Sequence, residues 1–217
     1  MINIRSIPTG PLAVNTYIVW DSENGSERHD CVVIDPANSG KVARFLDENG
    51  LDCRAILLTH GHFDHIMGVA RLKERTGARV YINKLDAASL SDNGASLASM
   101  IGFKVDPASV DVFVEDGMVF TEAGVTFRAI HTPGHTEGGV CYIVESEKVI
   151  FSGDTLFYMS YGRTDLPGGD AVALFDSIAY RLFTLKGDYR VLPGHDRETT
   201  LDFERRNNLC ALSGVCE

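Results

Sequence analysis

Apolar side chains along the chain fall into two kinds of run, and their alternation predicts the architecture. Short runs rich in Val and Ile, which are typical of buried strands, cover residues 15–20, 31–34, 54–58, 79–82, 125–130, 139–144, 148–151 and 189–192. Amphipathic helical spacing covers residues 39–49, 64–75, 170–184 and 198–209. Gly50 and Gly77 stand where glycine ends helices, and Asp170 is an expected N-cap. Strands mixed with helices throughout predict an α/β fold of packed layers.

Residues 84–116 break this pattern, because Ala, Ser, Asp and Asn replace the strong strand signals. We expect short helices and loops over one face of the protein there. Such a segment is either a lid that shapes the substrate site or an ordinary connection, and the sequence leaves both open. With 217 residues, 44% of them hydrophobic, the chain suits one domain over residues 1–217.

The charge balance argues against nucleic-acid partners. The formal net charge is -10 and no block of Lys or Arg occurs, whereas nucleic-acid binding depends on cations that neutralise phosphates. The same balance disfavours an anionic membrane surface, and no apolar run is long enough to cross a bilayer. The first residues lack the pattern of a secretory signal. We therefore expect a cytoplasmic protein with a small-molecule substrate, and its oligomeric state is open.

The candidate chemistry is concentrated in residues 59–65, THGHFDH, which lie between a predicted buried strand and a predicted helix. Residues two apart in extended chain point the same way, so His60 and His62 can reach one point together. The glycine between them removes side-chain bulk. Asp64 and His65 begin the helix and can aim at a neighbouring point. Four side chains able to bind metal thus converge within six residues.

Three further candidate ligands follow predicted strands at turns rich in Gly, Pro and Thr: His135, Asp154 and His195. Imidazoles and carboxylates without paired thiols suit zinc and tolerate iron or manganese. Seven candidates exceed what one tetrahedral ion accepts. They fit two divalent ions roughly 3.5–4 Å apart that share a bridging carboxylate. An open position for water is expected, as a catalytic zinc site requires.

The order THxHxDH, HTPGHT, GDT and PGH resembles the metallo-β-lactamase superfamily across nearly the whole chain. The resemblance implies an αββα four-layer sandwich, in which two mixed β-sheets are flanked by helices. It also implies that Asp35, in VVIDP, supports the metal site. Two ligand sets and one bridging carboxylate are implied: His60, His62 and His135; Asp64, His65 and His195; and Asp154.

Residues 152–157, SGDTLF, and residues 162–170, GRTDLPGGD, resemble the short bacterial members of the glyoxalase II-like branch, which lack a C-terminal helical domain. This resemblance implies hydrolysis of a small hydroxyacyl thioester by a hydroxide that two metal ions hold and Asp64 positions. Three residues near Asp154 are the predicted substrate contacts: Arg163, Tyr158 and Tyr161. Asp165 and Arg197 stand where the branch uses tyrosines for glutathione, which leaves the thiol carrier open.

Other functions of the same scaffold remain as alternatives. One is a lactonase or another ester hydrolase. Another is a persulfide dioxygenase, which uses a single iron and consumes oxygen. True β-lactamases of this fold lack the bridging Asp and one of the His ligands, so antibiotic degradation is less expected. For the substrate contacts, the alternative is a surface pair of tyrosines and an ion pair between Arg163 and Asp165.

Overall fold

The computed structural model describes residues 2–22 and 28–212, and within them two mixed sheets of six strands each form the framework. The first sheet runs in chain order: β1 (Ile2–Thr9), β2 (Val14–Asp21), β3 (His29–Ile34), β4 (Leu51–Leu57), β5 (Arg79–Asn83) and β6 (Val112–Val114). Its first two strand pairs are antiparallel, and the remaining three are parallel. The parallel part explains why these strands are nearly continuous apolar runs, since both faces are covered.

The second sheet has the strand order β14-β13-β10-β9-β8-β7 and one parallel pair, β10 with β13. Its strands are β7 (Val119–Glu122), β8 (Val125–His131), β9 (Val140–Val144), β10 (Val149–Gly153), β13 (Arg190–Pro193) and β14 (Thr199–Thr200). A small hairpin, β11 (Leu156–Phe157) with β12 (Ser160–Tyr161), follows β10. The helices are α1 (Ser39–Glu48), α2 (Phe63–Ile66), α3 (Val69–Thr76), α4 (Ala171–Asp176), α5 (Leu201–Asn207) and α6 (Leu209–Leu212).

Three apolar cores separate four layers. On β2, Ile18 packs with α1 and α3 residues, whereas its neighbours Tyr17 and Val19 face the second sheet. This alternation follows from the two-residue repeat of a strand. On the far side of the second sheet, Ile143 and its neighbours pack against α4 and the π-helix Ser177–Leu182 that continues it. The αββα sandwich with two mixed sheets and flanking helices is therefore confirmed.

Some elements differ from the sequence prediction. The helix expected at residues 64–75 is two helices, α2 and α3, because Gly68 donates its backbone N–H to the carbonyl oxygen of Pro36 at 2.8 Å. A Cβ on Gly68 would lie 2.3 Å from that oxygen, so this close approach requires glycine. The closing helix begins at Leu201, not at Glu198, since Thr199 and Thr200 pair with β13 and Thr200 caps α5. Strands β1, β6 and β7 were not predicted, because their apolar patterns are weak.

The segment of residues 84–116 contains two 3-10 helices, Lys84–Leu90 and Ala98–Ile101, and ends in β6. The short helices and loops are as expected, and the role of the segment as a lid stays a prediction. In the part of the chain that the structure describes, no helix has the length and apolar character that crossing a membrane requires.

The strand directions bring the chemistry to one edge. β8, β10 and β13 run the same way, because β8 and β10 are each antiparallel to β9 and β10 is parallel to β13. The carboxyl ends of the parallel strands in the first sheet lie at the same edge. Two backbone hydrogen bonds connect the chain segments of the two sheets there: Val140 N–H donates to Thr59 O at 2.8 Å, and Asn15 N–H donates to Gly194 O at 2.7 Å. Loops at this edge are where α/β folds place ligands.

Candidate metal centre and active site

The loop after β4 presents four of the candidate ligands. The chain stays extended through His62, whose φ and ψ are -67° and 144°, and α2 then begins at Phe63. The rings of His60 and His62 lie 4.8 Å apart, and those of His60 and His65 lie 4.1 Å apart. Gly61 is required here, because a Cβ would lie 2.5 Å from Oγ of Ser89. All four candidate side chains are buried.

The other three candidates come from the second sheet and close around this loop. Asp154 follows β10, and its Oδ1 lies 3.4 Å from Nε2 of His65. Its Oδ2 lies 3.5 Å from Nε2 of His135 and 3.6 Å from Nε2 of His195. Asp64 Oδ2 lies 3.3 Å from the same nitrogen of His195. The seven predicted ligands are therefore brought together, with Asp154 between the two sets.

Three groups of donor atoms, each within 4.8 Å of one another, result from this convergence: His60, His62 and His135; His60, His65 and Asp154; Asp64, His65 and His195. The first and third groups are the two ligand sets implied by the sequence resemblance. The role of each residue as a ligand stays a prediction, and the geometry is the one that such roles require.

Hydrogen bonds direct the Nε2 atoms of four of the five imidazoles inward, whereas His62 faces the cluster with Nδ1, which lies 2.9 Å from Nε2 of His135. The outer nitrogen Nδ1 of His135 lies 2.8 Å from the carbonyl oxygen of Arg163, and that of His195 lies 3.2 Å from the carbonyl oxygen of Leu12. A carbonyl only accepts, so each Nδ1 carries the proton and each Nε2 keeps its lone pair in the neutral ring. Metal-binding histidines are commonly held in this way.

Asp35 and Thr59 direct His60 and His65 similarly. Thr59 donates its hydroxyl to Asp35 Oδ2 at 2.7 Å, so its oxygen is left to accept from Nδ1 of His60 at 3.0 Å. Asp35 Oδ2 also lies 3.0 Å from Nδ1 of His65. The predicted supporting position of Asp35 is thus the one observed, although Asp35 adopts a left-handed φ of 50°.

Unpartnered buried atoms test whether a cation fits. In the described residues, three buried side-chain polar atoms have no hydrogen-bond partner: His60 Nε2, Asp154 Oδ1 and Ser96 Oγ. Two of the three belong to this cluster. Buried polar groups without partners are costly, and a nitrogen lone pair beside a carboxylate oxygen is a donor set that a divalent cation satisfies. The residues present therefore fit a metal ion.

The electrostatics of the cluster also suit cations. Burial lowers the pKa of His60 and lowers that of His62 to about 3, and the neighbouring imidazoles add to the effect, so both rings are neutral at neutral pH. Burial opposes protonation of His65, but Asp154, Asp64 and Asp35 outweigh it and raise its pKa to about 10. Burial likewise opposes ionisation of Asp64, yet His65 and His195 lower its pKa to about 2. Protons on His65 therefore occupy a position that a metal ion would take.

Asp86 was missed by the sequence interpretation, although it follows β5 at the same sheet edge. Its Oδ2 accepts from Gly61 N–H at 2.9 Å and from the Thr136 hydroxyl at 2.7 Å, and its Oδ1 accepts from Gly138 N–H at 2.8 Å. Burial raises its pKa, while these hydrogen bonds lower it. Asp86 thus joins the loop of His62 to the loop that follows His135. An acidic residue just after an apolar strand was the available signal.

A cavity of about 630 Å³ opens directly onto the cluster, and Asp64, Asp154 and three of the histidines line it. Of the predicted substrate contacts, Tyr161 and Arg163 line this cavity. Tyr158 does not: its ring stacks on Phe203 at 5.2 Å, and the guanidinium carbon of Arg197 lies 3.5 Å from the ring centroid. Packing therefore occupies the ring of Tyr158, and its contact with substrate stays a prediction.

Arg163 also makes the ion pair that was the alternative interpretation. Its Nε and one terminal nitrogen each donate to an oxygen of Asp165 at 2.7 Å, and both side chains are exposed. Substrate contact by Arg163 and Tyr161 stays a prediction.

Comparison with known proteins gives these observations a family context. The chain is 31% identical over 214 residues to "Hydroxyacylglutathione hydrolase GloC" of Haemophilus influenzae, which covers 95% of this chain and 97% of that protein. Among solved structures, the BLEG-1 B3 metallo-beta-lactamase has a TM-score of 0.89 at 33% identity, with 97% of this chain and 99% of that chain covered.

Two further structures are similar. TTHA1623 in a di-iron-bound form has a TM-score of 0.82 at 39% identity, with 94% of this chain and 98% of that chain covered. ETHE1 from Myxococcus xanthus has a TM-score of 0.79 at 29% identity, with 96% and 84% covered. The family model of the metallo-beta-lactamase superfamily matches residues 9–195, a span that reaches from β1 to the last candidate ligand. This chain belongs to the metallo-beta-lactamase superfamily.

Proposed function

We propose that the chain is a hydrolase that binds two divalent metal ions and cleaves thioesters of small hydroxyacyl groups. The observation that carries the proposal is the position of Asp154, whose two oxygens face both ligand sets at 3.4–3.6 Å from their imidazole nitrogens. His60, His62 and His135 would hold one ion, and Asp64, His65 and His195 the other. When bound, such ions lower the pKa of water to about 7 and polarise a carbonyl oxygen.

The protein groups around the cavity then have separable tasks. Asp64 is ionised at neutral pH, since its pKa is about 2, and its carboxylate lines the cavity. It can therefore accept a hydrogen bond from the attacking water at Oδ2, which orients that water, and relay a proton toward the departing sulfur. In the net reaction the C–S bond breaks, the water oxygen joins the acyl carbon, and the thiol leaves with a proton. Asp35, Thr59 and Asp86 hold the ligands in place.

Thioesters are favoured over other acyl substrates by two facts. The chain is similar over nearly its whole length to a protein named as a hydroxyacylglutathione hydrolase. The GRTDLPGGD segment, which begins at Gly162, lies against the site. The carbonyl oxygen of Arg163 accepts from His135, and a Cβ on Gly162 would collide with the carbonyl oxygen of Asp154 and lie 3.1 Å from Nδ1 of His135, so the segment can pass here only with glycine. Lactones remain the alternative substrate within the same chemistry.

A single-iron dioxygenase is less well supported by the geometry. Such an enzyme needs one ligand set, whereas Asp64, His65 and His195 form a second group of buried or half-buried donors. Without a second ion, the buried charges of Asp64 and His65 would have no role in the reaction, although burial of charged groups costs free energy. The complete second group therefore favours two ions.

Metal analysis combined with a substrate panel tests the proposal. Protein reconstituted separately with zinc, iron and manganese should contain about two ions per chain and hydrolyse S-lactoyl thioesters. The panel should include a γ-lactone, and oxygen consumption should be followed in the iron form with a persulfide. One iron with oxygen uptake and no thioester hydrolysis would overturn the proposal. Hydrolysis of lactones alone would retain the metal chemistry and reject the thioester.

A further inference from the structure

The cavity beside the candidate site has an apolar wall that the proposed chemistry does not use. Phe63, Leu97, Met100 and Ile101 line it on one side, and Leu12 lines it from the turn after β1. Met100 is 62% exposed, and Ile101 and Leu12 are each 54% exposed. Large apolar side chains grouped at the opening of a cavity are a common mark of a binding surface.

Packing fixes the position of the wall next to the candidate metal cluster. Phe63 begins α2, the helix that carries Asp64 and His65, and its ring stacks on Phe103 with centroids 5.7 Å apart. Leu97 is buried and holds a left-handed φ of 64°, which a residue other than glycine adopts only at a cost. The segment is therefore held in a defined position next to the reacting groups.

Away from the candidate metal cluster, positive charge is scarce in the cavity. Arg163 is the only cationic Lys or Arg side chain among its described lining residues, and its guanidinium is already bound to Asp165 through two hydrogen bonds. Asp196 adds a carboxylate to the lining. Arg197 lies over the ring of Tyr158 and outside the cavity. A carrier with several carboxylates would find no unengaged cation here.

We propose that the thiol carrier of the substrate is uncharged and apolar next to its sulfur, and that Met100 and Ile101 bind this segment. The inference rests on the proposed function, in which the acyl group is small and lies at the metal cluster. The wall reaches from Phe63 beside the cluster to Ile101 at the opening, so it contacts the other half of the thioester. A charged peptide thiol such as glutathione is disfavoured by the same wall.

Thioesters of one acyl group with different thiols test the proposal in the metal-loaded protein. The S-lactoyl esters of propanethiol, hexanethiol and glutathione should be compared. Complete burial of a methylene favours binding by about fourfold, so the three additional methylenes of the hexyl ester would give about 60-fold if fully buried. Because Met100 and Ile101 are themselves more than half exposed, burial is partial and kcat/KM should rise about tenfold from the propyl to the hexyl ester. The hexyl ester should also exceed the glutathione ester. Ile101→Ser should remove most of the gain, whereas Val119→Ser, a similarly exposed residue on β7, should retain it.

A binding measurement separates this inference from the proposed function. Non-hydrolysable thioethers, S-(2-hydroxypropyl)hexanethiol and S-(2-hydroxypropyl)glutathione, should be titrated calorimetrically into wild-type protein and both variants. Tighter binding of the hexyl compound that Ile101→Ser weakens supports the carrier inference, even if no thioester is hydrolysed and the proposed function fails. Tighter binding of the glutathione compound overturns it. The inference is also overturned if Ile101→Ser binds both compounds as the wild type does and changes only the sedimentation of the protein. The wall would then be covered by a second copy of the chain.

Discussion

Oδ2 of Asp35 lies 3.0 Å from Nδ1 of His65, and this contact joins the first strand-end residue of the site to a candidate metal ligand across 30 positions of sequence. Both side chains are buried. The carboxylate holds the orientation of the imidazole and strengthens it as an electron donor. Through Thr59 the same carboxylate also orients His60, so one residue supports both candidate ligand sets.

Replacement of Asp35 by Asn should therefore weaken metal binding. The amide keeps the size of the carboxylate but loses its charge, and loss of such a supporting contact commonly reduces metal affinity by about 10–100-fold. Competition with a chromophoric chelator measures the effect. Asp30→Asn, at an exposed ion pair with Arg54, is the control and should bind metal normally. Equal affinities in the two variants would contradict the supporting role.

Asp154→Ala tests the bridge between the two ions. The variant loses a carboxylate whose oxygens lie 3.4–3.6 Å from imidazole nitrogens of both ligand sets, so the metal content should fall from about two ions toward one. Activity should fall by at least about a hundredfold, because the variant would lose an ion that stabilises the developing negative charge. Elemental analysis and thioester hydrolysis give the two readouts. Asp47→Ala, which removes an exposed carboxylate paired with Arg75 outside the cavity lining, serves as control, and an unchanged metal content in Asp154→Ala would refute the bridge.

The layers and the ligand positions were accessible from the sequence for a physical reason. Residues such as Val32 and Val33 on β3 are buried on opposite faces of the sheet. The sequence of a strand that is covered on both faces is therefore an uninterrupted run of apolar residues. Each run ends at a turn residue, so the ends of the strands can be recognised in the sequence. Since the ends of parallel strands gather at one edge, the candidate ligands His60, Asp154 and His195 could be expected to meet.

Contacts between distant segments were not accessible. The break at Gly68 depends on the carbonyl of Pro36, and the strand β1 is recognisable only from its eight-residue pairing with β2. Tyr158 was assigned to the substrate because it is close to Asp154 in sequence, yet the ring turns to Phe203 and Arg197. The position of Asp86 just after an apolar strand is its single local signal, and its role is not visible from that signal because its partners lie 25 and 50 positions away. The spacing of residues along the sequence does not predict contacts between segments that are this far apart in the chain.

Asp86→Ala should affect both stability and metal binding. The substitution leaves the N–H groups of Gly61 and Gly138 without their acceptor in a buried position, which should lower the free energy of unfolding by at least about 2 kcal/mol. It also frees the loops that carry His62 and His135, so the affinity for the first ion should fall by about tenfold. Urea unfolding of the metal-free protein and chelator competition measure the two effects.

The control for Asp86 lies in the same segment. Asp106→Ala removes an exposed partner of Arg71 and should change neither quantity by much. Asp86→Asn retains one acceptor oxygen and should fall between wild type and Asp86→Ala. A loss of stability with unaltered metal affinity would show that Asp86 acts on the fold alone and does not position the ligands.

The metal-free protein should lose stability on mild acidification. The folded-state pKa of His62 is about 3 against an ordinary value of 6.5, and burial shifts that of His60 in the same direction. A depressed histidine pKa means that below about pH 6.5 the unfolded chain binds protons that the folded chain excludes, so unfolding becomes more favourable. His65 does not offset this, since its raised pKa of about 10 leaves it protonated in both states below about pH 6.

Between about pH 6 and about pH 4.5, His62 alone should reduce the free energy of unfolding by about 2 kcal/mol, and His60 adds to the loss. Urea titrations in the presence of a chelator measure the dependence. His62→Gln should flatten it, because the amide does not titrate. If His62→Gln retained the full wild-type slope, burial of a neutral imidazole would not be the cause of the acid sensitivity.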